Sequence, residues 1–448
     1  MKQVTVDFST VTGKIKPMHA VNNGPVGGKV RKTSSNYHLY EEAGIPYART
    51  HDSSFCTSYG GEHTVDVHRI FKNFDADETL PESYDFEMTD MYLRDIASVG
   101  CETFYRLGAS IEHQKKVGTI PPKDFHKWAR ICEHIIRHYN EGWADGFEYN
   151  ITYWEIWNEP DLYKNAPEKI SPTWSGTTEE FFEFYNITAA HLKKCFPHLK
   201  IGGPAIAYDL EWADRFLAQL TAPLDFFSWH CYFHTFERFV NKSKDVRALL
   251  DRYGYTETES ILNEWNYVKG WAGEEMEFTY QAIKQLFGSA FLGAAMLSMQ
   301  KSPTDMLMYY EGRPCAWSGL WGDRLKPLKG YYVLKMFGDL YRMGDEVKSE
   351  TEDPARVCVG AAKKGDEGAV MLTYFVEPEE EQITETVKVS LKGIPAGARV
   401  SVEMVDEQSD GEVTREEYFT STDAAIYVKM PPAATALLRV VPNGAEME

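Results

Sequence analysis

Several things are scarce in this chain, and each scarcity removes a class of function. No window of the 448 residues approaches the 18 or more apolar residues that a membrane-spanning helix needs, and Met1-Lys2-Gln3-Val4-Thr5-Val6-Asp7-Phe8 lacks the apolar core of a secretory leader. Basic charge is short as well: 47 Lys and Arg stand against 67 Asp and Glu, a formal charge of -20. A protein that neutralises phosphates needs a basic face, so neither nucleic acid nor an anionic membrane is an expected partner. The cysteines (Cys56, Cys101, Cys132, Cys195, Cys231, Cys315 and Cys358) are seven, an odd number without close pairs, which predicts reduced thiols rather than a disulfide framework. Provided no leader has been trimmed, the expected location is cytoplasmic.

Motifs are missing too. There is no G-x-S-x-G, no G-x-x-x-x-G-K-[ST], and no G-x-G-x-x-G after a strand, which sets aside serine-hydrolase and nucleotide chemistry. His134 and His138 are spaced i, i+4 with Cys132 nearby, but no H-E-x-x-H frame accompanies them; a solvated helix face is the expectation, and no metal. No internal repeat and no low-complexity tract is present.

What is present is apolar and aromatic: 43% hydrophobic residues, with 11 Trp and 26 Tyr among the 14% that are aromatic. That is ample for one large domain and a smaller one, and the rings offer flat faces for stacking on sugars. A strand-helix rhythm begins near residue 17. Strands are predicted at 17–21, 45–49, 103–107, 151–157, 200–203, 224–232, 260–264 and 294–299. Helices are predicted at 84–99, 123–140, 178–195, 209–220, 244–253, 278–292 and 327–340, with one ending at Gly44. Eight βα units make an α/β fold, a (β/α)8 TIM barrel, over 17–343. Residues 53–83 read as an insertion at the top of strand two, able to wall a site and carrying a strand of its own at 65–71.

Beyond Gly344 the pattern changes to short alternating runs at 356–359, 369–375, 385–391, 399–404, 425–428 and 436–441, an antiparallel β-sandwich over 344–448. The acidic run from Glu377 to Glu381 reads as a solvated turn within it. Residues 1–16 carry an edge-like strand that is expected to join the sandwich.

The chemistry collects at strand ends. Tyr153-Trp154-Glu155-Ile156-Trp157-Asn158-Glu159-Pro160 starts as a buried strand and stops at a proline that cannot extend a ladder. Its last side chains, Asn158 and Glu159, therefore project at the carboxyl edge of the barrel, where barrel enzymes place their sites. Ser260-Ile261-Leu262-Asn263-Glu264-Trp265-Asn266 ends the same way. Two carboxyls facing one acetal bond are what glycoside hydrolysis requires: one protonates the leaving oxygen and the other attacks or activates water. Glu159 and Glu264 are thus the candidate catalytic residues. Arg49 and His51 close strand two, where a guanidinium could favour an ionised nucleophile; His230 and Tyr232 close strand six and could bind hydroxyls or hold the nucleophile. Glu155 lies inside its strand and is expected to pair with Arg49 or Arg106. Trp317 is a candidate floor for a sugar ring, with Trp321 nearby, and Glu311 is a candidate ligand for a hydroxyl.

These stretches resemble glycoside hydrolase family 39, the β-xylosidase and α-L-iduronidase family of the retaining-barrel clan. The likeness rests on Trp157-Asn158-Glu159-Pro160-Asp161-Leu162, Asn263-Glu264-Trp265-Asn266, Arg49-Thr50-His51, and Phe71-Lys72-Asn73-Phe74-Asp75-Ala76-Asp77 followed by Tyr84-Asp85-Phe86. It implies that Glu159 is the acid/base, Glu264 the nucleophile and Asn158 the ligand of the sugar 2-hydroxyl, with His51, His230 and Tyr232 lining the glycone pocket. One stretch departs from the family pattern: Met296-Leu297-Ser298-Met299-Gln300, placed as strand eight, lacks an aromatic ending.

The resulting expectation is a retaining exo-glycosidase acting on an oligosaccharide, with β-D-xylosidase preferred and no metal or organic cofactor. An α-L-iduronidase, arabinosidase, β-glucosidase or transglycosylase on the same barrel is the alternative, and a noncatalytic carbohydrate-binding protein is the alternative of another class. A homo-oligomer is left open.

Overall fold

In the computed structural model, residues 1–28, 35–53, 63–113, 115–166 and 169–442 are described. The first strand, β1 (Lys2–Lys14), belongs to a sheet completed only at the other end of the chain. The next eight close a barrel in sequence order: β2 (Ala20–Asn22), β3 (Tyr47–Arg49), β4 (Glu102–Leu107), β5 (Tyr153–Ile156), β6 (Lys200–Ile206), β7 (Phe226–Phe233), β8 (Glu259–Tyr267) and β9 (Met306–Tyr309). Every neighbouring pair is parallel, including β2 with β9, so all eight carboxyl ends open at one mouth. The interior is plugged by Ala20, Phe104, Tyr153, Phe226, Ile261, Met306 and Met308. It is a packed core beneath the mouth.

Strand eight is not where its sequence suggested. Residues 294–299 lie inside the helix Leu286–Gln300, and the expected single helix at 278–292 is two, Gly273–Ala282 and Leu286–Gln300. The reason is burial on every side. Nearly all residues from Gly288 to Gln300 are buried between barrel and second sheet, so the helix carries no amphipathic period and its apolar run imitates a strand. With β9 at Met306–Tyr309, strand eight ends in Tyr309-Tyr310-Glu311, and the missing aromatic ending is found. A second correction falls in the insertion. Val67–Ile70 is helical, burying Val67 and Ile70 three apart, where a strand was expected over 65–71; residues 54–62 of that insertion lie outside the described ones.

The remaining strands are β10 (Asp345–Thr351), β11 (Val357–Lys364), β12 (Glu367–Tyr374), β13 (Glu385–Lys392), β14 (Ala398–Val405), β15 (Asp410–Phe419), β16 (Asp423–Met430) and β17 (Thr435–Val441). With β1 they form nine strands in the order β15-β14-β17-β12-β11-β10-β1-β13-β16, where β1 runs antiparallel to β10 and parallel to β13. One face folds over a core of Val4, Val6, Val359, Leu372, Val389 and Leu438 among others, giving the sandwich. Its two outermost strands meet where Arg415 Nη2 donates to the Tyr427 carbonyl at 2.6 Å. The other face carries Cys358, Met371 and Leu437 into the core shared with the barrel helices Leu286–Gln300 and Lys329–Met343. β10 and β15 escape a pattern search because both are rich in charge: β15 is largely exposed and held by its backbone ladder, and β10 buries only Val347 and Ser349.

The acidic turn after β12 is not simply solvated. Glu379 pairs with Lys269 of the barrel at 3.0 Å, Glu380 pairs with Arg356, and half-burial pushes the Glu377 carboxyl up to about 7.

Candidate active site

β5 ends in a backbone turn that few side chains tolerate. Trp157 (φ 77°) and Glu159 (φ 50°) are both left-handed, a conformation costing about 1–3 kcal/mol per residue unless its surroundings enforce it. They do. The N–H of Trp157 donates to the Leu107 carbonyl at 2.7 Å, that of Glu159 to the Ala205 carbonyl at 2.9 Å, and the Thr173 hydroxyl to the Glu159 carbonyl at 2.6 Å. The indole of Trp157 lies against Gly108, where an added Cβ would meet the ring and backbone of Trp157 at 3.0–3.2 Å and where φ is 142°. Glycine is needed there.

Glu264 reaches the same space through a different irregularity. Along β7 and β8 the register runs Trp229 to Leu262 and then His230 to Glu264, so Asn263 is an extra residue on β8. Strict alternation would send neighbouring side chains to opposite faces. The bulge lets both turn inward: the Asn263 amide donates to Glu155, while Glu264 meets Arg49.

Arg49, fully buried at the end of β3, ties four strand ends together. Its Nε donates to Glu155 Oε2 at 2.7 Å, Nη1 to Glu264 Oε1 at 2.7 Å and to Asn22 Oδ1 at 3.1 Å, and Nη2 to Asn158 Oδ1 at 2.7 Å. Ser228 completes the shell of Glu155 at 2.6 Å. Glu155 is therefore the structural partner of Arg49, and Arg106 instead pairs with Asp66 at 2.7 Å.

Glu159 and Glu264 face one another across His230. His230 Nδ1 stands 2.8 Å from Glu159 Oε1 and 3.5 Å from Glu264 Oε2, and the Tyr232 hydroxyl donates to Glu264 Oε2 at 2.8 Å. An oxygen of each glutamate and a ring nitrogen of His230 all lie within 4.8 Å of one another. The two carboxyls are not alike. Burial, joined by the charges of Asp161 and Asp52, pushes Glu159 up to about 8. Burial also raises Glu264, opposed by His230 and Arg49. Burial lowers His230 to about 4, against the pull of Glu264, and drives His51 well below its usual range, with Arg49 adding to the effect.

His51, Glu311 and Trp317 lie around this pair through further contacts. His51 Nε2 lies 3.4 Å from Asp52 and 3.8 Å from Glu264. Asn158 Nδ2, His51 Nδ1 and His230 Nε2 are buried with no hydrogen-bond partner among the described residues, three polar atoms that a bound hydroxyl-rich ligand can satisfy. Glu311, just past β9, accepts from Asn23 and from the Cys315 thiol at 2.9 Å, and burial pushes its carboxyl up to about 7. The half-buried Trp317 ring lies 6.1 Å from that of Tyr232 and 5.7 Å from Trp271, which is 62% exposed on the loop after β8. Trp321 belongs to the packing, its indole donating to the Gly312 carbonyl at 2.6 Å.

Asn22, Asp52, Tyr310 and Trp271 were not singled out in the sequence. Asn22 and Tyr310 could have been, since each stands at or just past the end of a barrel strand; Tyr310 was hidden by the misplacement of strand eight. Away from the mouth, His138 is buried rather than solvated, with its ring nitrogens at 2.8 Å from the Trp143 carbonyl and 3.0 Å from Asp90. It is a satisfied core histidine.

Comparison with known proteins agrees with this geometry. Residues 16–267, more than half of the chain, match the family model described as glycosyl hydrolases family 39. A β-xylosidase of Caldicellulosiruptor saccharolyticus is 25% identical over 406 residues, covering 82% of this chain and 76% of the relative. Among solved structures, a glucosidase from Croceicoccus marinus superposes with a TM-score of 0.80 at 21% identity, covering 98% of this chain and 99% of the other. A monomeric β-xylosidase from Caulobacter crescentus does so with a TM-score of 0.72 at 16% identity, covering 99% and 100%.

Proposed function

The chain belongs to glycosyl hydrolases family 39, and within that family we propose that it is a retaining exo-acting β-D-xylosidase, releasing terminal xylose from short oligosaccharides. The observation that carries the retaining part is the approach of the two carboxyls to within 4.8 Å. Inverting enzymes need about 6.5–9.5 Å to admit a water between carboxyl and sugar, whereas retaining ones use about 5–5.5 Å.

The unequal environments support a division of roles. Glu264, gripped by Arg49 and Tyr232, is the group kept ionised, and an oxygen of it attacks the anomeric carbon. Glu159, held protonated by burial and by neighbouring negative charge, gives its proton to the leaving oxygen as the glycosidic C–O bond breaks. In the second step the Glu159 carboxylate takes a proton from water, the water oxygen bonds to the anomeric carbon, and the bond to Glu264 breaks. No metal or organic cofactor enters either step. In this reading Asn158 Nδ2, its Oδ1 held by Arg49, donates to the 2-hydroxyl, and His51, His230 and Glu311 offer further polar atoms to the glycone. Trp317 offers an apolar face beside them.

Support for xylose comes from the Caldicellulosiruptor relative, which bears the name β-xylosidase. An α-L-iduronidase must also pair a cation with the sugar carboxylate, and Arg49 at the centre of this site is committed to two protein carboxylates. A panel of aryl glycosides tests the choice: hydrolysis of the β-xyloside supports it, and hydrolysis of a uronide without the xyloside overturns it. Free thiols at Cys101, Cys132, Cys195, Cys231, Cys315 and Cys358 support a reducing, cytoplasmic setting, in which imported oligosaccharides would be the final stage of polysaccharide breakdown.

A further inference from the structure

Two charges outside the reacting pair are buried in the same quarter of the barrel. Asp161, two residues after Glu159 and fully buried, accepts the backbone N–H groups of Ala207 at 2.8 Å and of Tyr208 and Asp209 at 3.0 Å each. Lys242, 4% exposed on the helix Phe236–Arg252, donates to the His230 carbonyl at 2.6 Å and to the Ala207 carbonyl at 3.4 Å, with its ammonium 5.7 Å from the centre of the Trp229 ring. The contacts form a circuit. Asp161 holds the N–H of Ala207, Lys242 holds its carbonyl and that of His230, His230 meets Glu159 at 2.8 Å, and Glu159 returns to Ala205 through its own N–H.

A neutral side chain could staple a helix to a strand at far lower desolvation cost than an ammonium, so the buried charge itself calls for an explanation. We propose that Asp161 and Lys242 are positioning residues that hold the Glu159–His230 pair in place and set, from opposite directions, the pH at which Glu159 gives up its proton. The charge of Asp161 disfavours ionisation of Glu159, and that of Lys242 favours it. Glu159 also faces Asp52 and Arg49, and His230, Glu264 and Tyr232 from the strands opposite. Lys242 itself faces Cys231 and Arg238, and Asp161 faces Tyr208; none of these changes in the variants below.

The inference rests on Glu159 being the general acid, and the experiment separates the two. The pH dependence of kcat/KM on an aryl β-xyloside, or on whichever aryl glycoside the panel shows to be cleaved, is measured for the wild type, Asp161→Asn, Lys242→Met and the double variant. The basic limb is expected to move down by about one pH unit in Asp161→Asn, up by a similar amount in Lys242→Met, and back to near the wild-type position in the double variant. Lys242→Arg, which keeps the charge, should leave the limb in place. Should Lys242→Met fail to fold, Lys242→Gln serves as the neutral variant. Limbs that stay put, or that move in the same direction, overturn the inference while leaving Glu159 as the acid. Full activity of Glu159→Gln on a substrate with a poor leaving group would instead overturn the reading of Glu159.

Discussion

Arg49 and Glu264 are joined at 2.7 Å by the same guanidinium that holds Glu155 at 2.7 Å, both carboxylates being buried in the barrel mouth. One cation thus stabilises the proposed nucleophile and fixes the group beside it, while a third nitrogen orients Asn158. A lysine offers one point charge and cannot serve four acceptors in that geometry. Arg49→Lys should lower kcat by about 100-fold or more, since loss of a buried charge-assisted hydrogen bond costs about 2–5 kcal/mol. Steady-state kinetics on an aryl glycoside, with a melting curve to confirm folding, checks it; retention of more than half the activity would deny Arg49 this role.

Tyr232 donates its hydroxyl to Glu264 at 2.8 Å. Removing that oxygen in Tyr232→Phe leaves the ring packing among Trp271, Tyr310 and Trp317 in place. A loss of about 10- to 100-fold in kcat is expected, equivalent to about 1.5–3 kcal/mol for a hydrogen bond to a charged group, with little change in melting temperature.

The rate should follow a bell-shaped pH profile. As the proposed acid, Glu159 has to be protonated to release the leaving group, and with its carboxyl pushed up to about 8, kcat/KM should fall as pH rises past that point. As the proposed nucleophile, Glu264 has to be ionised, so the acid limb should mark its protonation, moved up from the ordinary carboxylate value by burial. With a good leaving group such as dinitrophenolate, Glu159→Gln should lose the basic limb and retain much of its glycosylation rate.

Stability should move with the same proton. The folded-state value of Glu159 lies above its unfolded one, so between about 4.5 and about 8 the folded chain binds more protons than the unfolded chain. The stability from this group is fully present at acid pH and is lost as pH rises through about 8. Glu159→Gln removes the titration, and its melting temperature relative to the wild type should therefore rise between pH 5 and pH 9. A constant difference between the two proteins across that range would contradict the raised value.

How much of this was written in the sequence depended on whether a residue's role is set locally. The rhythm of apolar strands and capped helices placed seven of the barrel strands, because each buries its side chains against the next layer. It failed at 294–299, where a helix enclosed on all sides has no polar face to betray its period. Glu159 was legible because a proline ends its strand. The arrangement behind Glu264 was not: Asn263 is an inserted residue of a bulge, and no one-dimensional alternation reports that Asn263 and Glu264 turn to the same side. Likewise Arg49 could be placed at a strand end, but its four partners come from β2, β5, the turn after β5, and β8. Only closure of the barrel brings them together.

The stereochemistry of the first turnover tests the central claim most directly. Proton NMR of a β-xyloside, or of whichever glycoside is cleaved, followed from the moment enzyme is added, resolves the anomer released before mutarotation. With Glu264 as nucleophile and Glu159 within 4.8 Å of it, the first product should keep the anomeric configuration of the substrate. Initial appearance of the opposite anomer would contradict the two-step account and the roles given to both glutamates.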